Sequence, residues 1–122
     1  MPILEIEIVV RPGEILRPTL AKELADAAGA VFDSAPGGTW VRVRTLAADR
    51  YAEGPGPAPE VFPVFVQVLK ASLPGTDAMQ AEVTQLTSIL AGFLDRPREN
   101  VHVIYVPAGR GRVAFGSTLL ES

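Results

Sequence analysis

One plan, strand then helix then strand, occurs twice in succession along the 122 residues. In the first pass, Ile3 to Val10 is β-branched and alternating, with Glu5 and Glu7 on one face, and reads as a strand closed by Arg11-Pro12-Gly13. Pro18 suits a helical first turn, and Leu16, Leu20, Leu24, Ala28 and Val31 follow at helical spacing. After the Ala35-Pro36-Gly37-Gly38 breaker, Thr39 to Leu46 alternates again, with Trp40, Arg42 and Arg44 sharing one face. The stretch Tyr51 to Glu60 is too rich in Pro and Gly for regular structure and reads as a junction. The second pass then runs from a strand at Val61 to Leu69, where Pro63 favours an edge or a strand start, to a turn at Pro74-Gly75. Asp77 and Gln80 suggest a variant capping box, and Met79, Val83, Leu86, Leu90 and Phe93 form an apolar stripe that Pro97 ends. Val101 to Val106 is the fourth strand, and the glycine-rich tail from Pro107 predicts a short hairpin.

Two β-α-β units, about 1–60 and 61–122, each with a right-handed crossover, predict one α/β (α+β) domain. The expected architecture is a four-stranded mixed sheet with two helices on one face. Pro2 lines up with Pro63 at an offset of 61, VRV (41–43) with VHV (101–103) at 60, and YAEG (51–54) with VAFG (113–116) at 62. A drift of that size leaves strand register open by one residue, enough to turn side chains to the other face. The helix-free face would carry Trp40 and scattered charges and calls for a partner subunit. With 48% hydrophobic residues and a mean hydropathy of +0.24, a chain this short has apolar surface to spare for such an interface.

Composition removes several classes of chemistry. There is no cysteine, so disulfides, thiol nucleophiles and Cys-based metal sites are excluded, and one histidine, His102, makes no His cluster. A net charge of −3 with scattered Lys and Arg argues against nucleic acid. No apolar run is long enough for a membrane span, and the first residues lack the basic start of a signal peptide. The expectation is a cytoplasmic protein with no membrane, cofactor or metal requirement.

Pro2 is the residue with the clearest chemical rationale. Removal of Met1 before a small residue leaves Pro2 as a free secondary amine, a group titrating near about 7.7–8.0 when unperturbed. Cations and an apolar wall nearby would disfavour its charged form and make it a base or nucleophile near neutrality. If Met1 stays, the nitrogen is an amide and Pro2 is only a chain-start residue.

MPILEIEIVV, the repeat of about 60 residues, VRV followed by YAEG, and VHVIYVPAGRGRVAFG together resemble the tautomerase superfamily. That superfamily includes 4-oxalocrotonate tautomerase (4-OT), 5-carboxymethyl-2-hydroxymuconate isomerase and macrophage migration inhibitory factor. The likeness spans nearly the whole chain and is carried by the order and spacing of short motifs. VRVRTLAADRYAEG through FVQVLK is most similar to the carboxymethyl-hydroxymuconate isomerase type. The resemblance implies two fused 4-OT-type units assembled as a homotrimer. It implies that Pro2 moves a proton along a small carboxylated enol or dienol, with no cofactor. It places Arg42, in V-R-V, as the substrate-carboxylate ligand, a role suited to a bidentate guanidinium. Tyr51 and Phe115 fall where an aromatic walls the pocket, and Arg11 lies one residue from a second substrate-binding arginine.

Departures from the pattern bear on the reaction. Where the dehalogenase and decarboxylase branches carry an arginine pair after the third strand, only Lys70 is cationic here. His102 replaces the V-R-V arginine of the second unit, as a pocket base or, preferably, a packed strand residue. Arg42 and Arg44, on a face shared with Glu5 and Glu7, also fit ion pairs across a subunit interface, and Arg110 and Arg112 fit a neighbour's pocket or, more simply, a solvated loop. Two alternatives therefore stand beside tautomerisation. One is hydration or decarboxylation on the same scaffold, and the other is a trimeric binding protein without catalysis.

Overall fold

The computed structural model describes residues 2–121. Met1, whose removal would free the Pro2 nitrogen, lies outside the described residues, as does Ser122. The element order is β1 (Pro2–Val10), α1 (Leu20–Val31), β2 (Trp40–Ala47), β3 (Val64–Lys70), α2 (Thr76–Leu94), β4 (Val101–Tyr105), β5 (Ala114–Phe115) and β6 (Thr118–Leu119). The first, second, third and fourth strands form one mixed sheet in the order β2-β1-β3-β4. Each β-α-β pair is parallel, and the two central strands, β1 and β3, run antiparallel to each other. The tail makes the small β5–β6 hairpin, turning through Gly116 and Ser117 at positive φ.

The core lies between the sheet and the helices. Leu4, Ile6 and Ile8 of β1 and Val64, Val66 and Val68 of β3 pack against Leu20, Leu24 and Ala28 of α1 and Leu86, Leu90 and Leu94 of α2. Their alternate neighbours, Glu5, Glu7, Phe65 and Gln67, lie on the helix-free face. Burial parity settles the register that the repeat left open. Leu4 matches Val64 and Arg42 matches His102, both at an offset of 60. The alignment of Pro2 with Pro63 is therefore one residue out of step. Pro63 precedes β3, and its carbonyl accepts the Val9 N–H at 3.0 Å.

Several boundaries differ from expectation. Helix α1 begins at Leu20, because Pro18 and Thr19 form a separate turn, and Leu16 packs on the core from outside the helix. The capping box is not formed: Gly75 precedes α2 without a side-chain cap, and the Gln80 amide donates to Thr84 Oγ1 at 3.3 Å. Strand β3 starts at Val64 rather than Val61. Helix α2 ends at Asp95 (φ 54°), two residues before Pro97, and Leu94 rather than Phe93 is its last buried residue.

Arg96, just beyond α2, is a buried cation that joins both halves. Its guanidinium donates to the carbonyls of Val9, Phe62 and Leu94 and to both Glu14 carboxylate oxygens, at 2.7–2.9 Å. The Arg96 hydrogen bonds hold the Glu14 carboxyl down at about 2, well below its usual 4.5. No helix of the described residues is long and apolar enough to cross a membrane.

Candidate functional site

Pro2 is buried at the head of β1, opposite Lys70 at the end of β3. Residues directly opposite in an antiparallel pair share a face, so Pro2 and Lys70 both stand on the helix side. The next residue, Ile3, faces the other way and pairs in register with Trp40. It lines a cleft of about 260 Å³ on the helix-free face, together with Glu5, Arg42, Gln67, Leu69 and Val106.

Arg42 reaches that cleft from β2. It stands opposite Glu5 in the parallel pair, and its Nη2 forms an ion pair with the Glu5 carboxylate. The Arg42 side chain is still 69% exposed, so the guanidinium is open to a ligand entering the cleft. Arg44 occupies the equivalent place opposite Glu7, further along the same strands.

The tail closes the Pro2 end of the sheet. The Gly109 N–H donates to the Lys70 carbonyl at 2.8 Å, and a side chain at Gly109 would meet Val113 at 3.0 Å and Leu69 at 3.2 Å. This close crossing brings Phe115 edge-on to Trp40, ring centroids 5.4 Å apart. Phe115 thus stands near the cleft. Arg110 donates to the Glu121 carbonyl and Arg112 to the Ala108 carbonyl, so both serve the tail itself.

Other candidates lie elsewhere within one chain. Tyr51 packs 5.9 Å from Phe65, whose ring is 5.3 Å from His102, making an aromatic row on the helix-free face. Phe65 pairs with Glu7, which is about 17 Å along β1 from Pro2. Tyr51 donates its hydroxyl to Glu53, and that bond, with burial, pushes the phenol up to about 12. His102 is exposed on this row rather than packed in the interior. Arg11 follows the far end of β1, about 30 Å from Pro2, and is tied to Glu14 and to the Asp95 carbonyl at 2.7 Å.

Lys70 belongs to a cluster that the sequence reading overlooked. Its ammonium lies 2.7 Å from one Glu82 oxygen and 5.1 Å from the centre of the Phe32 ring. The other Glu82 oxygen accepts the Tyr105 hydroxyl at 2.6 Å. Burial and this bond push the Tyr105 phenol above its ordinary value. The signal was present: Glu82 lies four residues before Leu86 in the row that continues to Leu90 and Leu94, so it had to share their face. A larger groove of about 520 Å³ lies along α1 and the following turn, away from Pro2, and its Lys22 and Asp26 are paired with each other. Among the described residues, no three His, Cys, Asp or Glu side chains group where they could hold a metal ion.

No family model matches the chain, and no curated protein matches it by sequence. Solved structures do match its fold. The macrophage migration inhibitory factor of Trichinella spiralis superposes with a TM-score of 0.75 at 12% identity, covering 96% of this chain and 98% of that one. A fused wild-type 4-OT described as an asymmetric trimer gives a TM-score of 0.78 at 14% identity, covering 97% and 95%. A protein described as inactivated by 2-oxo-3-pentynoate gives 0.77 at 13% identity, covering 97% and 94%. The chain has the fold common to the macrophage migration inhibitory factor and tautomerase structures.

Proposed function

We propose that this chain is a cofactor-independent tautomerase of small carboxylated enols or dienols, with Pro2 as general base. The observation that carries the reading is the position of Pro2, buried at the head of β1 and followed at once by Ile3, which lines a cleft on the opposite sheet face into which an exposed arginine reaches. Its free secondary amine takes a proton from one end of the conjugated system and returns it to a carbon, leaving composition unchanged. Arg42 receives the substrate carboxylate: Glu5 meets Nη2, and the guanidinium has further donors on Nε and Nη1. The same charge stabilises the enolate that develops in the transition state. Phe115 and Trp40 supply an apolar wall.

The assembly in this reading is a homotrimer, its subunits covering one another's helix-free sheet face. Trp40 and Ile104 are about half exposed there, and the fused 4-OT structures of the same fold are described as trimers. Arg11 and Tyr51, remote from Pro2 within one chain, serve a neighbour's site in this reading. Hydration or decarboxylation is the weaker reading, because Lys70, the cation at the end of β3, is already engaged by Glu82.

The test is Pro2→Ala, assayed with 2-hydroxymuconate and phenylenolpyruvate. Near-complete loss of turnover with the trimer intact is the expected result, and undiminished turnover overturns the reading. Intact mass establishes whether Met1 is removed. A rate that rises with pH as the amine deprotonates fits a base, whereas an acid role predicts loss over the same range.

A further inference from the structure

We propose that Lys70, steered by Glu82 and Tyr105, sets the basicity of the Pro2 amine as a positioning group rather than as a substrate ligand. This rests on the reading of Pro2 as the base. Pro2 and Lys70 are direct cross-strand partners on the same face, an arrangement that puts their Cα atoms about 4.5–5.5 Å apart. Lys70 is largely enclosed, its side chain 19% exposed, and Phe32 from the end of α1 stacks over its ammonium. A fixed cation beside an amine disfavours the protonated amine, and enclosure limits the water that would screen it.

The orientation of the ion pair decides the sign. Glu82 comes from α2, and its second oxygen holds Tyr105 on β4, the strand on the far side of β3 from β1. The carboxylate thus bonds towards β4, while the ammonium lies beside Phe32 at the end of α1, which puts the positive end of the pair away from β4. The remaining neighbours do not reverse this. Phe32 is uncharged, and Asp33 beside it is exposed. Arg110 turns to Ser72 and the Glu121 carbonyl, and Arg42 and Glu5 offset each other on the opposite sheet face. Lys70 is therefore in place to keep Pro2 in its free-base form near neutrality.

The experiment titrates the Pro2 nitrogen directly, by NMR of protein labelled with ¹⁵N-proline, so that no turnover is required. Lys70→Met should raise the midpoint by about half to one pH unit. Lys70→Arg should titrate with the wild type, and Glu82→Gln should lower the midpoint by removing the opposing charge. A Lys70→Met midpoint equal to wild type overturns the inference, as does an amine that never titrates because Met1 remains. Should Lys70→Met fail to fold, Glu82→Gln decides: an unmoved or raised midpoint overturns the proposal. A Pro2→Ala protein that still turns over would defeat the catalytic reading while leaving this titration result standing.

Discussion

Glu5 and Arg42 stand directly opposite each other on adjacent parallel strands and form an ion pair at the cleft that Ile3, the residue after Pro2, also lines. In the proposed reading Glu5 holds one edge of the guanidinium, and the substrate carboxylate takes the remaining donors on Nε and Nη1. Arg42→Gln keeps hydrogen-bonding capacity but loses the charge and the fork. It should raise KM by about 10- to 100-fold, the equivalent of a charged hydrogen-bond pair. Steady-state kinetics check this, and Arg42→Lys should recover only part of the loss.

The Arg96 hub predicts a stability effect unconnected to catalysis. Arg96→Met would leave Glu14 and three carbonyls without their buried partner. Removing one member of such a buried pair costs about 3–5 kcal/mol. Urea unfolding measures it, and a loss below about 1 kcal/mol would contradict the role given to Arg96.

Acid should reveal the other member of the same pair. The folded-state value of Glu14 is lowered to about 2 from 4.5, so the unfolded chain binds its proton more readily. The resulting stability is fully present above about pH 5 and is lost as pH falls from there towards 2. Solvent screening of a side chain still 18% exposed reduces this contribution to about 1–2 kcal/mol. The wild-type unfolding midpoint should hold from pH 7 to pH 5 and fall at pH 3, and the fall should be smaller for Glu14→Gln.

The trimer is testable on the helix-free face. Trp40→Glu and Ile104→Glu place unpaired charge among exposed apolar side chains of the proposed interface. Sedimentation should show smaller species with unchanged helix content. Variants that remain trimeric would move the interface elsewhere.

Much of this architecture was legible in the sequence because its signals are periodic. The alternation of Leu4, Ile6 and Ile8 and of Val64, Val66 and Val68 repeats across two strands, so one buried face explains both. Helix ends were less legible, since they are set by single residues. Thr19 can cap a helix but spends its hydroxyl on Glu23, and Asp95 ends α2 by adopting positive φ before Pro97 is reached. The polar hubs were hidden for a different reason. Arg96 follows the helix end in a short charged stretch, and four of its five acceptors lie far away in sequence, on Val9, Glu14 and Phe62. No local pattern announces partners of that kind.

The buried Pro63 bears on how many reaction centres such an assembly can possess. It stands just before β3 much as Pro2 stands at the start of β1, yet its ring nitrogen is acylated by Phe62 and has no lone pair to lend. The two halves thus share a scaffold, and in the proposed reading only the first offers an amine. A trimer of this chain has six strand heads and at most three bases. In that reading the second half carries no base, and it differs from the first in its helix of 19 residues against 12 and in having histidine where the first has Arg42.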